Sequence, residues 1–219
     1  MISVEELKKQ AALAAIEMIE DDMVIGIGSG STINAFIDEL AKVKNKIEGC
    51  VSASNESTSR MRALGIPVLD MNTVNEIPLY FDGADEINAR KELKKGGGGA
   101  LTREKIIATY AKKFVCLVDE TKFRADYWGD FPIAVEVLPM ARSAVGRELL
   151  KLSANPDYRS GFLTDNGNII IDVYQLDMLN PLEMEQRLNQ IVGVIENGIF
   201  ARRTADNVII ATQSGVRHL

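Results

Sequence analysis

The chain has 219 residues, 46% apolar and 26% charged, with a formal net charge of −6 and a pI near 5.0. This is an ordinary globular balance, long enough for one large core or two smaller ones, and it excludes disordered and fibrous classes. An acidic chain is a poor match for nucleic acid, and no apolar run is long enough to span a membrane, so the expected partner is small and soluble.

The N-terminus opens on a capping-box pattern, Ser3 with Glu6, and lacks the basic-then-apolar layout of a secretory signal. A cytoplasmic protein is expected. Periodicity predicts helix Val4–Ile19, strand Met23–Ile27, helix Ser31–Val43, strand Ile47–Ala53, helix Glu56–Leu64 and strand Ile66–Met71. A short strand Leu79–Phe81, a glycine loop, a helix Thr102–Lys112 and an apolar strand Phe114–Val118 follow. Continuous apolar strands separated by helices indicate an α/β fold with a mostly parallel sheet covered on both faces. After Asp130 the pattern changes. A strand within Phe131–Pro139, a helix Ala141–Lys151, a hairpin turning at Asp165-Asn166-Gly167 between Tyr158–Leu163 and Ile169–Val173, a helix Pro181–Ile191 and a strand near Val194–Glu196 read as a small α+β insert in β-α-β-β-α-β order. The last apolar run, Asn207–Thr212, is expected to return to the first sheet. Cys50 and Cys116 sit in apolar, β-like runs and read as buried thiols. His218 is the sole histidine and lies next to the terminus, which makes a histidine triad or zinc site implausible.

Two glycine loops carry the chemistry. Gly26-Ile-Gly28-Ser29-Gly30-Ser31-Thr32 follows a predicted strand and opens a helix, the place where open α/β sheets bind ligands. Ser31 stands where a dinucleotide fingerprint needs glycine, and there is no Walker lysine. Hydroxyls and free N–H groups at a helix N-terminus suit a monoester phosphate; the alternative is a tight turn with Ser31 or Thr32 as N-cap. The second loop, Lys95-Gly96-Gly97-Gly98-Gly99, has an ordering cost that something must offset. It lies between Asp82-Gly83-Ala84-Asp85 and Glu104, which falls in the first turn of the next helix if Thr102 is its N-cap. Carboxylates beside a lysine and glycine amides are what proton transfer and oxyanion stabilisation need. The aspartates could also be turn residues or magnesium ligands. Glu104 could simply complement the helix dipole. Ser52–Ser59 reads as a loop and helix cap, and Lys122, just past Asp119, would reach the ligand edge.

Taken together, Gly28-Ser-Gly-Ser-Thr32, Asp82-Gly-Ala-Asp85, Lys95-Gly-Gly-Gly98, Leu101-Thr-Arg-Glu-Lys105, Val137–Val145 and Thr164–Asn168 resemble type A ribose-5-phosphate isomerase over nearly the whole chain. The resemblance implies a Rossmann-like domain, residues 1–129 completed by 200–219, and a ferredoxin-like domain, residues 130–199. It also implies a homodimer or homotetramer and a cofactor-free, metal-free aldose–ketose isomerase of the pentose phosphate pathway. Carried over, it makes Glu104 the base that moves a proton between C2 and C1, with Lys95 and the amides of Gly96, Gly97 and Gly98 stabilising the enediolate oxygen. Asp82 would assist ring opening and hydroxyl proton transfer. Asp85 would hold sugar hydroxyls, while Ser31, Thr32 and Lys122, joined by Lys8, would take the phosphate, with Ser29, Gly30, Gly83 and Ala84 also binding the substrate. Ser29 stands where threonine is expected and Gly99 where alanine is frequent, which bears on loop rigidity more than on chemistry. Two alternatives come from other classes: a sugar-phosphate sensor, which has no need of a base beside an oxyanion donor, and a carboxylate-metal enzyme, which would depend on magnesium.

Overall fold

The computed structural model describes residues 2–125 and 128–219, and the chain divides into two compact units. Unit 1 comprises Met1–Ala84, Arg103–Phe123 and Ala205–Leu219; unit 2 comprises Asp85–Thr102 and Arg124–Thr204.

Unit 1 begins with α1 (Val4–Ile16), capped by the Ser3 hydroxyl, which accepts the Glu6 N–H at 3.2 Å. Its buried face is Leu7, Ala11, Ala12 and Ala15, and the three alanines let the helix lie close to its neighbours. The helix stops short of the expected Ile19, because Met18 and Ile19 donate back to Ala15 and Ile16 in a tightened final turn. Then come β1 (Met23–Ile27), α2 (Ser31–Leu40), β2 (Ile47–Ser52), α3 (Asn55–Ala63), β3 (Val68–Leu69) and β4 (Ile77–Asp82). The strand expected over Ile66–Met71 shrinks to β3 because Asp70 accepts the Asn72 N–H at 2.8 Å and turns the chain into a 3₁₀ segment. Next in sequence, β5 (Glu86–Asn88) and β6 (Leu93–Lys94) belong to unit 2, and the unit boundary falls inside α4 (Leu101–Tyr110). Unit 1 resumes with β7 (Ala111–Asp119). Thr102 is the second residue of α4 and not its cap.

The sheet of unit 1 is completed near the C-terminus by β14 (Asn207–Thr212) and β15 (Gly215–His218). Its order is β15-β14-β7-β4-β1-β2-β3, with every pair parallel except β14–β15. Phe114 through Val118 on β7 are all buried, as the unbroken apolar run requires for a strand covered on both faces. Cys50 and Cys116 are free and buried, and burial pushes the Cys50 thiol up to about 12, so it stays protonated and unreactive.

The next unit boundary falls inside β8 (Phe123–Arg124), and unit 2 continues with β9 (Ile133–Val137), α5 (Arg142–Leu150), β10 (Asn155–Tyr158), β11 (Ile169–Tyr174), α6 (Pro181–Asn189), β12 (Val194–Asn197) and β13 (Ile199–Phe200). The expected β-α-β-β-α-β order forms an antiparallel sheet β10-β11-β9-β12, the ferredoxin-like arrangement. Ile133, Val135, Val137, Ile169, Ile171 and Val173 point to the helices and pack with Val145, Leu149, Met184 and Leu188. Residues 85–102, grouped with the first domain on sequence grounds, cluster with unit 2 because β5 and β6 pair with each other and β6 pairs with β13. Directly opposed on β5 and β6, Glu86 and Lys94 form a buried ion pair at 3.0 Å, extended by Arg124 at 3.2 Å. Among the described residues, no helix is long and apolar enough to cross a membrane.

The hairpin differs from its sequence reading. β11 pairs with β10 at Asn155–Tyr158, so the first strand ends at Tyr158, the residue expected to begin it, and Asp165-Asn166-Gly167 is the tip of a longer loop. Gly167 has φ +77°, and Thr164 and Asn168 close the turn with a 2.8 Å backbone bond. This geometry delivers Thr164 Oγ1 and Asn168 Nδ2, each at 2.8 Å, and Asn166 Nδ2 at 3.1 Å, to the fully buried carboxylate of Glu136 on β9; the Thr102 hydroxyl also donates to it. Replacing Glu136 by Leu strands these donors, so denaturant unfolding should show a loss of about 2–3 kcal/mol. Glu136→Gln, which keeps an acceptor oxygen, should recover part of it.

Candidate active site

The sheet order of unit 1 reverses between β1 and β4, so the crevice beyond their C-terminal ends is the expected ligand position of an open α/β sheet. Gly28 leaves β1 and donates its N–H to the Phe81 carbonyl of β4 at 2.8 Å. A Cβ on Gly28 would lie 1.9 Å from Asp82 Oδ1, so the two strand ends meet at a contact that glycine alone permits. Gly30, at φ +89°, then turns the chain into α2. Gly30 is also the N-cap, and no side chain caps the helix, so neither Ser31 nor Thr32 plays that structural part. N–H groups of the first turn have no acceptor within their own helix and carry the positive end of its dipole, which suits an anion.

Asp82 ends β4 and is fully buried. Its Oδ1 accepts the N–H of Gly83 at 2.7 Å and of Ser29 at 3.2 Å, and its Oδ2 accepts the Tyr80 hydroxyl. Glu104, in the first turn of α4 and 3% exposed, accepts the Ser29 hydroxyl on Oε1 at 2.7 Å. Ser29 therefore touches both carboxylates, one through its backbone and one through its side chain. Tyr80 is held well above its ordinary pKa by burial and by the charges of Asp82 and Glu104, so it stays a neutral donor. Lys122 is half-buried in the turn following β7, on the same C-terminal edge of the sheet. Lys8 is paired with Glu5 at 2.8 Å on α1.

Unit 2 carries the other candidates. Lys95 is buried, donates its N–H to the Gly198 carbonyl at 2.8 Å and places Nζ 5.7 Å from the centre of the Phe200 ring. The glycine run is a tight turn: Gly96 and Gly99 have φ +108° and +77°, and the Gly99 N–H bonds to the Gly96 carbonyl at 3.0 Å. Asp85 Oδ2 accepts the Gly97 N–H at 2.8 Å. Gly97 and Gly98 are exposed while Gly96 and Gly99 are buried. At Gly99 a Cβ would sit 2.3 Å from the Phe162 ring. The glycine standing where alanine is frequent in the resembled family therefore has a packing reason in this chain.

Within unit 1 the structure thus brings Ser29, Asp82, Gly83 and Glu104 together, and within unit 2 it joins Asp85 to the glycine loop. Three supporting residues escaped the sequence reading. Tyr80 read as part of an apolar strand, although its place two residues before Asp82 puts both side chains on one face. Ser57, in the hydroxyl-rich run, donates to the Gly28 carbonyl at 2.8 Å, while Ser54 caps α3. Arg159 reaches the carbonyls of Gly96 and Gly97 at 3.2 and 3.1 Å and pairs with Asp172 at 2.5 Å; no motif announces it. Among the described residues, no group of three or more His, Cys, Asp or Glu side chains is placed to hold a metal ion.

Comparison with known proteins identifies the family. A ribose-5-phosphate isomerase A from Legionella pneumophila (strain Lens) is 58% identical over 214 residues, covering 98% of this chain and 99% of that protein. The crystal structure of ribose 5 phosphate isomerase A from Neisseria gonorrhoeae superposes with a TM-score of 0.97 at 45% identity, covering 100% of this chain and 98% of the other. A D-ribose-5-phosphate isomerase solved in complex with phospho-erythronic acid gives a TM-score of 0.94 at 43% identity, covering 100% and 99%. The sequence profile of ribose 5-phosphate isomerase A (phosphoriboisomerase A) matches residues 49–215, a span containing both carboxylates, the lysine and the second glycine loop, and the chain belongs to that family.

Proposed function

We propose that this chain interconverts D-ribose 5-phosphate and D-ribulose 5-phosphate through an enediolate, the isomerisation of the non-oxidative pentose phosphate pathway. The observation that carries the proposal is the Glu104 carboxylate, buried and oriented by the Ser29 hydroxyl beside Asp82 at the sheet's switch point. Taking a proton from carbon next to a carbonyl leaves negative charge on oxygen, so the reaction needs a base and an oxyanion donor.

Glu104 moves the proton between C2 and C1. Lys95 and the amides of Gly96, Gly97 and Gly98 stabilise the oxyanion. Asp82 takes part in ring opening and in proton transfer between hydroxyls. Asp85, Gly83 and Ala84 position sugar hydroxyls, and Gly30, Ser31, Thr32 and Lys122 hold the phosphate at the uncapped start of α2. A relative solved in complex with phospho-erythronic acid, a phosphorylated sugar acid, supports this substrate class. A homodimer or homotetramer in the cytoplasm completes the proposal; solution mass measurement tests the assembly.

The direct test is formation of ribulose 5-phosphate from ribose 5-phosphate by the purified chain with a chelator present. Turnover is expected at the same rate with and without chelator. Absence of turnover would overturn the assignment, and activity that needs added magnesium would move Asp82 and Asp85 to a metal-binding role.

A further inference from the structure

Tyr80 is fully buried, and its ring needs nothing but apolar neighbours. It tilts against Phe114 with centroids 5.0 Å apart and lies so close to β1 that a Cβ on Gly26 would come within 2.8 Å of it. Phenylalanine would fill that seat equally well. The hydroxyl therefore calls for a separate reason, since a buried hydroxyl is tolerated where it finds a partner. Its partner is Asp82 Oδ2, the carboxylate oxygen not taken by the backbone N–H groups of Ser29 and Gly83.

We propose that Tyr80 is a positioning residue for the isomerisation, its hydroxyl fixing the rotamer of the Asp82 carboxylate that accepts a proton from a substrate hydroxyl. This rests on the part given to Asp82 above. The titratable groups that act on the phenol are Asp82 on its own strand, Glu104 on α4 and Cys116 on β7. Burial, with the charges of Asp82 and Glu104, keeps the phenol protonated, so it donates throughout the working pH range.

Wild type, Tyr80→Phe, Asp82→Asn and the double variant separate the possibilities when kcat, KM and thermal midpoint are measured for ribose 5-phosphate. Tyr80→Phe should lower kcat/KM about tenfold, mostly in kcat and with KM near that of the wild type. In the Asp82→Asn background the same substitution should cost less than about twofold, because its effect runs through the carboxylate. Unchanged kinetics with a lowered thermal midpoint would reduce Tyr80 to packing, and a tenfold loss in both backgrounds would show that it acts independently of Asp82. Wild-type activity in Asp82→Asn alone would remove Asp82 from the reaction, and the Tyr80 role with it.

Discussion

Glu104→Gln should lower kcat by roughly 10²–10⁴-fold, the usual contribution of a positioned base, while KM and the affinity for a non-reacting phosphorylated sugar acid stay near wild type. The amide keeps the size of the carboxylate and an oxygen that accepts the Ser29 hydroxyl, so the local geometry at 2.7 Å persists. What is lost is the capacity to take a proton from carbon. Washout of deuterium from C2 of labelled ribose 5-phosphate reads that step directly and should slow in proportion to kcat. An equal loss in binding would instead make Glu104 a substrate-holding group.

Gly28→Ala should be the most damaging single methyl in unit 1. The added carbon would lie 1.9 Å from Asp82 Oδ1 and 2.0 Å from its Cγ, and the carboxylate is fully buried. Either Asp82 leaves its place, breaking the bonds from Tyr80, Ser29 and Gly83, or β1 draws away from β4 and gives up the 2.8 Å bond to the Phe81 carbonyl. Overpacking of this kind costs about 3 kcal/mol, and a displacement of about 1 Å at the reacting groups costs on the order of 10²-fold in kcat/KM. Denaturant unfolding and steady-state kinetics measure the two effects. Gly146→Ala on α5, where an added methyl meets nothing within 4 Å, is the control and should hold or raise stability. Equal stability of the two variants would contradict the steric argument.

The sequence disclosed most where pattern and chemistry coincide. The unbroken apolar runs of β7 and β14 and the alternating helices were enough to expect a parallel sheet, and the boundaries of β1 and β14 were read to the residue. The β-α-β-β-α-β insert was legible for the same reason. Strands as short as β5, β6, β8 and β13 carry too few residues to show a period, and with them the grouping of residues 85–102 was lost. At Asp165-Asn166-Gly167 the turn signal was real, but the need of Glu136 for donors, invisible along the chain, lengthened the loop around it. Glu104 and Asp82 stood out because carboxylates beside glycine runs are chemically conspicuous. Ser57 and Arg159 act through contacts between distant segments, and no local pattern marks them; Tyr80 acts on Asp82 two residues along its own strand, a spacing that the apolar strand around it hides.

Arg159 gives the four-glycine turn a property that its composition hides. Its guanidinium is anchored on Asp172 and holds the carbonyls of Gly96 and Gly97, and the described chain contains no cis peptide bonds. In a trans peptide the N–H points away from the carbonyl of the same plane. With both carbonyls turned toward Arg159, the amides of Gly97 and Gly98 face the opposite way, and the first of them already meets Asp85. The most freely rotating residues in the protein are thus oriented during folding. In the proposed reaction, an anionic oxygen reaching the Gly98 amide meets a dipole already aligned and does not have to freeze a wandering backbone, so loop entropy weighs little in its affinity.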